Sequence, residues 1–539
     1  MNSRVRTIGR GLGAFSIIAI VLLPIIRSYY YIGEADALSH LGIALDIKAG
    51  VESLSEQLYP LSHFLSVAIG QVTGIEIRRA LMILLALFVI VFILFIPLTA
   101  RLFSNDELVI SISAFSALLL LPVNHFTGHM HPHTTSYAMF FVPFVIYSFI
   151  LLFRTSDRKH VVFVTVSLSG MVLLHPQQAA NIIILFGTVA IIQLIVSFAI
   201  DDENLSYNGR QIYPYVSVML VIFWLWTEGL DKISGNLRKP LVNLLASGRE
   251  PGGNVRSAAP SLEAAGGSTE EIFIKLFLIG FIYSVLAALL MGASLTEVFK
   301  DSSNRLYKQG ERIAFSSSSL NFLVIYLTAG FIAIVGLFFV YILADQSRQY
   351  FRHYSFMMVI VTVLGSLALA QILKIVSRNI SRRRVTTAVS ILFIVFLLFS
   401  VPIIHISPYL YQESEHVPES QMKGFETAFN HQEEGVQFVF IRSTTSRYHD
   451  AIIGERKRID YTGAGNVPYH FSEEGDLRSQ YEEETYLVVT NRDRTRDRDL
   501  HRGVRYTRED YEHFDNGKGI NRIQDNGGFT LYRITPPPE

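Results

Sequence analysis

Two carboxylates, Glu34 and Asp36, stand two residues apart in the segment YYYIGEADALSHLGIALDIKAG, and His40 and Asp46 follow them. Carboxylates so placed can act as a general base toward a hydroxyl or as oxygen ligands of a divalent cation. An acidic pair at a helix start also complements the positive end of the helix dipole, so an ordinary solvated helix start is the competing reading. Four histidines, His125, His129, His131 and His133, fall close together further on. Neutral imidazoles are good ligands for zinc and similar metals, and a divalent metal ion held by Asp36, His131 and His133 is the only cofactor the residues point to. In a turn, residues i and i+2 often point apart and Pro132 stiffens this one, so contact with substrate hydroxyls and plain interfacial polarity are also open. His175, in HPQQ, and the pair Tyr59 and His63, in YPLSH, add polar groups of the same kind. Arg348 and Arg352, in SRQYFR, have the guanidinium fork that pairs with phosphate oxygens, or with lipid headgroups.

The elements that must position these groups are membrane helices. Half of the 539 residues are hydrophobic and only 17% are charged, and the apolar residues come in blocks near twenty long. These runs lie near 11–26, 80–100, 108–123, 135–153, 161–175, 179–200, 212–230, 272–293, 319–344, 353–373 and 385–406. The expected fold is an α-helical polytopic membrane protein of about eleven spans over residues 1–406, followed by a small α/β domain over 407–539. The zero net charge hides a split: residues 1–406 carry 29 Lys+Arg against 22 Asp+Glu, and residues 407–539 carry 17 against 24. Nothing in this balance points to nucleic acid. Without cysteine, neither a disulfide nor a thiolate zinc site can form.

Alternating the spans from an inside N-terminus puts the most basic loops, 294–318 and 374–384 among them, in the cytoplasm, as the positive-inside rule requires. The segment 59–74 then reads as a helix at the outer interface, because counting it as a span would invert every later loop. Residues 31–79, the histidine turn, HPQQ, the loop 231–271, RQYFR and the tail all face outward, giving a multi-pass cell-membrane protein with an extracytoplasmic C-terminal domain. Ionisable residues within the later runs, His175, Glu228, Lys275, His353 and His405, sit near that outer end. An ion-coupled transporter keeps such groups at mid-depth, whereas chemistry gathered at one interface suits an enzyme on a lipid-attached or surface substrate.

This layout resembles the GT-C superfamily of membrane glycosyltransferases, which includes protein mannosyltransferases and single-subunit oligosaccharyltransferases. The resemblance rests on GEAD in a long first external loop, YPLSH before the second span, the polar turn HMHPHTTS, the arginine-bearing turn with Arg348 and Arg352, and the external tail. The closing NRIQDNGGFTLYRI is similar to the last hairpin of archaeal tails, with Asn526-Gly527 as its turn. The resemblance implies transfer of a sugar from a polyprenyl-phosphate-linked donor to an acceptor glycan, lipid or protein at the outer surface. It implies Asp36 as base, Glu34 orienting it or a metal, and His40, Tyr59, His63, His131, His133, His175, Arg348 and Arg352 around the substrates. The second loop offers histidines where an oligosaccharyltransferase carries a second acid pair, and Trp224 and Trp226, the only tryptophans, lie in a span, which favours transfer of a single sugar. The alternatives are a lipid or polymer transporter or flippase, and a non-catalytic cell-surface assembly protein.

Two further segments carry expectations. The Gly- and Ser-rich loop 231–271 reads as a connector or as a lid ordered by substrate. In the tail, VQFVFIRS, TYLVVTN and GFTLYRI read as strands, and the sign-alternating NRDRTRDRDLHR reads as a solvated face.

Overall fold

The computed structural model describes residues 3–538 apart from 54–55, 156, 200–211, 229–259, 308–318, 345–348, 443 and 462. Arg348 and most of the expected lid at 231–271 therefore lie outside the described residues. Each of the eleven apolar runs contains a helix. Among the described residues seven helices are long and apolar enough to cross a membrane: Ile77–Phe103, Thr134–Arg154, Pro176–Ile195, Thr269–Thr296, Leu323–Leu343, Gln349–Val376 and Arg383–Ile403. The protein is thus a largely helical, multi-pass membrane protein with a C-terminal β/α region.

One expected span is shorter than the sequence implies. The run 108–123 is helical only over Glu107–Ala117, and the chain continues as irregular backbone. Pro122 disfavours helix in the residue before it. Asn124 then draws the turn together by accepting, through Oδ1, from the backbone N–H groups of Phe126, Thr127 and Gly128 at 2.9, 3.1 and 3.3 Å. Leu118, Leu119, Leu120 and Leu121 are buried against neighbouring helices, the condition under which non-helical backbone survives at membrane depth. Residues 59–74 form the helix Pro60–Thr73, opened by proline and closed by Gly74 at φ +75°. Its 14 residues span about 21 Å, less than the ~30 Å of a hydrocarbon core.

Helices Thr134–Arg154 and Gln349–Val376 both start at the end of the bundle that carries the histidines. Their last turns lie at the opposite end, where Arg154 donates to the Leu102 carbonyl and Lys374 pairs with Asp106 at 2.7 Å. One end is basic and the other is rich in histidine.

The tail holds the strands expected of it. Two short strands, β1 (Tyr31–Ile32) and β2 (His416–Val417), pair antiparallel and tie the first loop to the start of the tail. Strands β3 (Gln437–Phe440), β4 (Gly463–Asn466), β5 (Thr485–Thr490), β6 (Ile520–Asp525) and β7 (Phe529–Ile534) form one mixed sheet in the order β4-β3-β5-β7-β6. β6 and β7 are the expected hairpin, with Gly527 at φ +81°. The inner face of this sheet and helix Thr445–Ile453 bury Phe425, Phe438 and Tyr448 against Leu38, Leu41 and Ala44 of helix Asp36–Ala49. The contact is close enough that a Cβ on Gly42 would overlap the carbonyl of Asp450.

NRDRTRDRDLHR is a solvated face only in part, with Asn491, Thr495, Arg498, Asp499 and Arg502 exposed. Asp493 and Asp497 are buried, Arg442 clasps Asp497 through Nε and Nη2, and Arg492 and Arg496 both reach Glu413. The inward charges of this stretch pair with groups elsewhere in the tail, Asp497 with Arg442 and Arg492 and Arg496 with Glu413, while Asp493 caps its own turn through Thr490.

Candidate functional site

The helix Asp36–Ala49 begins at the mouth of the first membrane helix, and its approach is fixed by Gly33. Gly33 adopts φ +95°, and a Cβ there would lie 2.8 Å from both Cγ of His131 and Cβ of Ala37. Only glycine lets the acidic segment lie flat against the histidine turn.

Glu34 and Asp36 face different partners. Glu34 turns toward the tail, where it pairs with Arg492 and accepts from the Tyr448 hydroxyl at 2.6 Å. Asp36 is 58% exposed; its Oδ1 lies 2.9 Å from Arg447 Nη2 and its Oδ2 3.9 Å from His133 Nε2. The Thr135 backbone N–H donates to His133 Nδ1 at 3.1 Å, which leaves the proton of the neutral ring on Nε2, facing Asp36. His133 and then Arg447 hold the Asp36 carboxyl well below the usual carboxylate range, against the opposing pull of burial. Burial pushes His133 itself below the usual imidazole value.

From His133 the polar groups run on without a break. The His40 ring lies 5.3 Å from that of His133 and its Nδ1 is 3.1 Å from His63 Nε2. Burial lowers the pKa of both, His63 to about 4, so the pair is neutral at physiological pH. Tyr59 stacks on His175 at 5.1 Å, and His175 Nε2 lies 3.0 Å from the Thr135 hydroxyl. Two residues beyond His175, the Gln177 side chain accepts from Arg352 Nη1 at 3.0 Å. The Tyr59 phenol, raised by burial, is also lowered by Arg352 and raised by Asp36, so the cation and the carboxylate both act on it. The Nε of Arg352 is buried with no partner among the described residues. A donor left open beside a tyrosine and neutral imidazoles is suited to an acceptor such as a phosphate oxygen.

The expected metal set is regrouped. His131 turns away from Asp36, placing Nδ1 2.6 Å from Glu415 Oε2, and its ring stands 6.1 Å from that of His133. His129 stacks on His131 at 4.5 Å and 13°, so this i, i+2 pair points one way. His129, His131 and Glu415 each offer a ligand atom, all within 4.8 Å of one another, and this compact His/His/Glu cluster has the donor types of a divalent-metal site. The fourth histidine of the turn, His125, is 2.5 Å from the Ile403 carbonyl.

Of the residues singled out by sequence, Asp36, His40, Tyr59, His63, His133, His175 and Arg352 form one continuous group. Glu34 and His131 are its neighbours, occupied by tail partners. Arg447, Gln177, Thr135 and Glu415 had been missed. Gln177 was legible, since it follows His175 in the same motif; Arg447 and Glu415 come from the tail, and no local spacing ties them to Asp36.

No family model matches this sequence, and no curated protein matches it. Solved structures do. The apo oligosaccharyltransferase of Archaeoglobus fulgidus aligns with a TM-score of 0.52 at 10% identity, over 89% of this chain and 69% of that one. ArnT from Cupriavidus metallidurans bound to undecaprenyl phosphate gives 0.45 at 12% identity over 100% of both chains. The arabinofuranosyltransferase AftD from Mycobacteria gives 0.47 at 12%, over 100% of this chain and 40% of that one. At such identities the likeness is one of fold, and it rests on the oligosaccharyltransferase, whose TM-score of 0.52 is the highest of these three.

Proposed function

We propose that this chain is a membrane glycosyltransferase that moves a single sugar from a polyprenyl-phosphate-linked donor to an acceptor hydroxyl at the outer face of the membrane. One observation carries the reading: Asp36, beside His133, and Arg352, with an open buried donor, stand at the two ends of one polar group that runs through His40, Tyr59, His175 and Gln177 at the histidine-rich end of the bundle. The opposite end gathers Arg154 and Lys374, and the positive-inside rule makes that end cytoplasmic. The site and the tail, taken as an extracytoplasmic domain over 407–539, then face outward. No nucleotide-sugar pool exists there, so the activated sugar arrives on a lipid phosphate made inside.

In this reading the acceptor glycan, lipid or protein hydroxyl lies against Asp36. A carboxylate of low pKa is a weak base for a hydroxyl, so the proton moves late, as the acceptor oxygen bonds to the anomeric carbon. The bond from that carbon to the phosphate oxygen breaks with inversion, and its electron pair leaves on the phosphate. Arg352 compensates the departing charge, and Arg348, four residues before it in the sequence, is the second guanidinium proposed for the phosphate. His40, His63, His133 and His175, neutral and buried, contact sugar hydroxyls alongside Tyr59. Arg447 and His133 aim Asp36, and Glu34 is a strut that holds the tail in place. A divalent ion at the His/His/Glu cluster would add positive charge near the site, and no step is assigned to it.

The test is transfer from a polyprenyl-phosphate sugar by purified Asp36→Asn. This change keeps volume and removes the base, and general-base catalysis is worth ~10²- to 10⁴-fold. We expect a loss of that order with unchanged thermal unfolding; full activity would remove Asp36 from the chemistry.

A further inference from the structure

Glu415 lies in the stretch that leads from the last membrane helix into the tail, one residue before β2, and its backbone carbonyl accepts from the Gly33 N–H at 2.9 Å. Its side chain is only 16% exposed. Among the described residues no lysine or arginine comes within ion-pair distance of it; its partner is His131. A buried carboxylate without a fixed cation is costly, and proteins resolve that cost by pairing or by coordinating a metal. The Nδ1 of His129 is moreover buried with no partner. Two stacked imidazoles, an unsatisfied ring nitrogen and a largely buried carboxylate held by an imidazole meet at one point.

We infer that His129, His131 and Glu415 form a binding site for a divalent transition metal of the zinc type, which fastens the histidine turn to the start of the tail. Two imidazole nitrogens and one carboxylate oxygen are a borderline donor set, better suited to zinc than to magnesium or calcium, which take mostly oxygen. Ligand atoms of a tetrahedral zinc stand about 3.3 Å apart, from bonds of ~2.0–2.1 Å. The observed atoms lie within 4.8 Å of one another, so loading draws them together by up to about 1.5 Å. Asp36 is not a ligand; it stands on the far side of His133.

The inference does not depend on the chain being an enzyme, and neither does its test. The full-length protein in nanodiscs is stripped with a chelator, titrated with Zn2+ and with Co2+, and followed by bound-metal content, Co2+ absorption and thermal unfolding. We expect one ion per chain, a tetrahedral or five-coordinate Co2+ spectrum, and a rise in Tm on loading. Loss of a group that merely supports a ligand costs ~10- to 100-fold in metal affinity, so loss of a ligand in Glu415→Gln or His129→Gln should cost at least ~100-fold. Asp36→Asn and His133→Gln should keep wild-type metal affinity. Apo Glu415→Gln should unfold like the apo wild type, which separates a lost ligand from a lost fold. Absence of stoichiometric metal, wild-type affinity in Glu415→Gln, or loss of the ion in Asp36→Asn or His133→Gln would each overturn the assignment.

Discussion

Arg447, carried by the tail, brings Nη2 to 2.9 Å from Oδ1 of Asp36 while its Nη1 donates to the Ser39 hydroxyl at 2.8 Å. The tail therefore completes the surroundings of a carboxylate that belongs to the membrane body.

That contact has a pH signature. Asp36 has a folded pKa below its unfolded value, lowered first by His133 and then by Arg447. Its charge, and the stabilisation its contacts give, are thus fully present above about pH 3.9 and are lost as pH falls through the lower folded value. Arg447→Gln should move the acid limb of kcat/KM to higher pH, and Arg447→Lys should move it part of the way back. A uniform drop in rate with an unmoved limb would mean that Arg447 only supports the fold.

Arg352 separates charge from geometry. If its open Nε and the fork beside it grip a donor phosphate, Arg352→Lys keeps charge and loses the fork, whereas Arg352→Gln loses both. Losing one charge-assisted contact costs about 1.5–3 kcal/mol, roughly ten- to a hundredfold in binding. Lipid-donor affinity should fall from wild type to Lys to Gln. A headgroup anchor would instead tolerate Lys almost fully.

Arg492 pairs with both Glu34 and Glu413, and removing it leaves the largely buried Glu34 without its cation while Glu413 keeps Arg496. Arg492→Met should destabilise docking of the tail by ~3–5 kcal/mol, read as a lower Tm and faster proteolysis between the last membrane helix and β2. Combining Arg492→Met with Glu34→Gln should recover part of that loss. Strictly additive losses would show that the two residues do not interact.

Gly42 gives a prediction whose sign is informative. In an unobstructed helix, Gly→Ala stabilises by about 1 kcal/mol. Here the new Cβ would strike the Asp450 carbonyl, and such overpacking costs ~1–3 kcal/mol. Net destabilisation in a thermal melt is expected; a gain would mean that the tail does not sit against this helix.

Sequence made the helical body legible because hydrocarbon imposes one pattern, and it found the polar residues of the bundle end because each departs from that pattern. The strands of the tail were legible from alternation and the Asn526-Gly527 turn. What escaped it were pairings between distant segments. Glu34 and Asp36 look alike at a spacing of two, yet one is claimed by Arg492 and the other by Arg447, and only the docked tail decides which. NRDRTRDRDLHR misled for the same reason: alternation records that charges will pair, without recording whether they pair with water or with one another. The end of the helix Glu107–Ala117, in the third apolar run, depended on Asn124 gathering three N–H groups, a local device whose signal was masked by the leucine run before it.

The pairing of β1 with β2 bears on how the protein is made. Tyr31 and Val417 are hydrogen-bonded neighbours, so about 385 residues must be synthesised after the first loop before its strand partner exists. At ~5–20 residues per second that is roughly 20–80 s. During this interval the acidic loop has emerged without Arg447, Arg492 or Glu415, and none of their contacts can form. A chain truncated before residue 416 would insert its helices yet leave the acidic loop without its strand partner, so the site can assemble only after the helical body has been made.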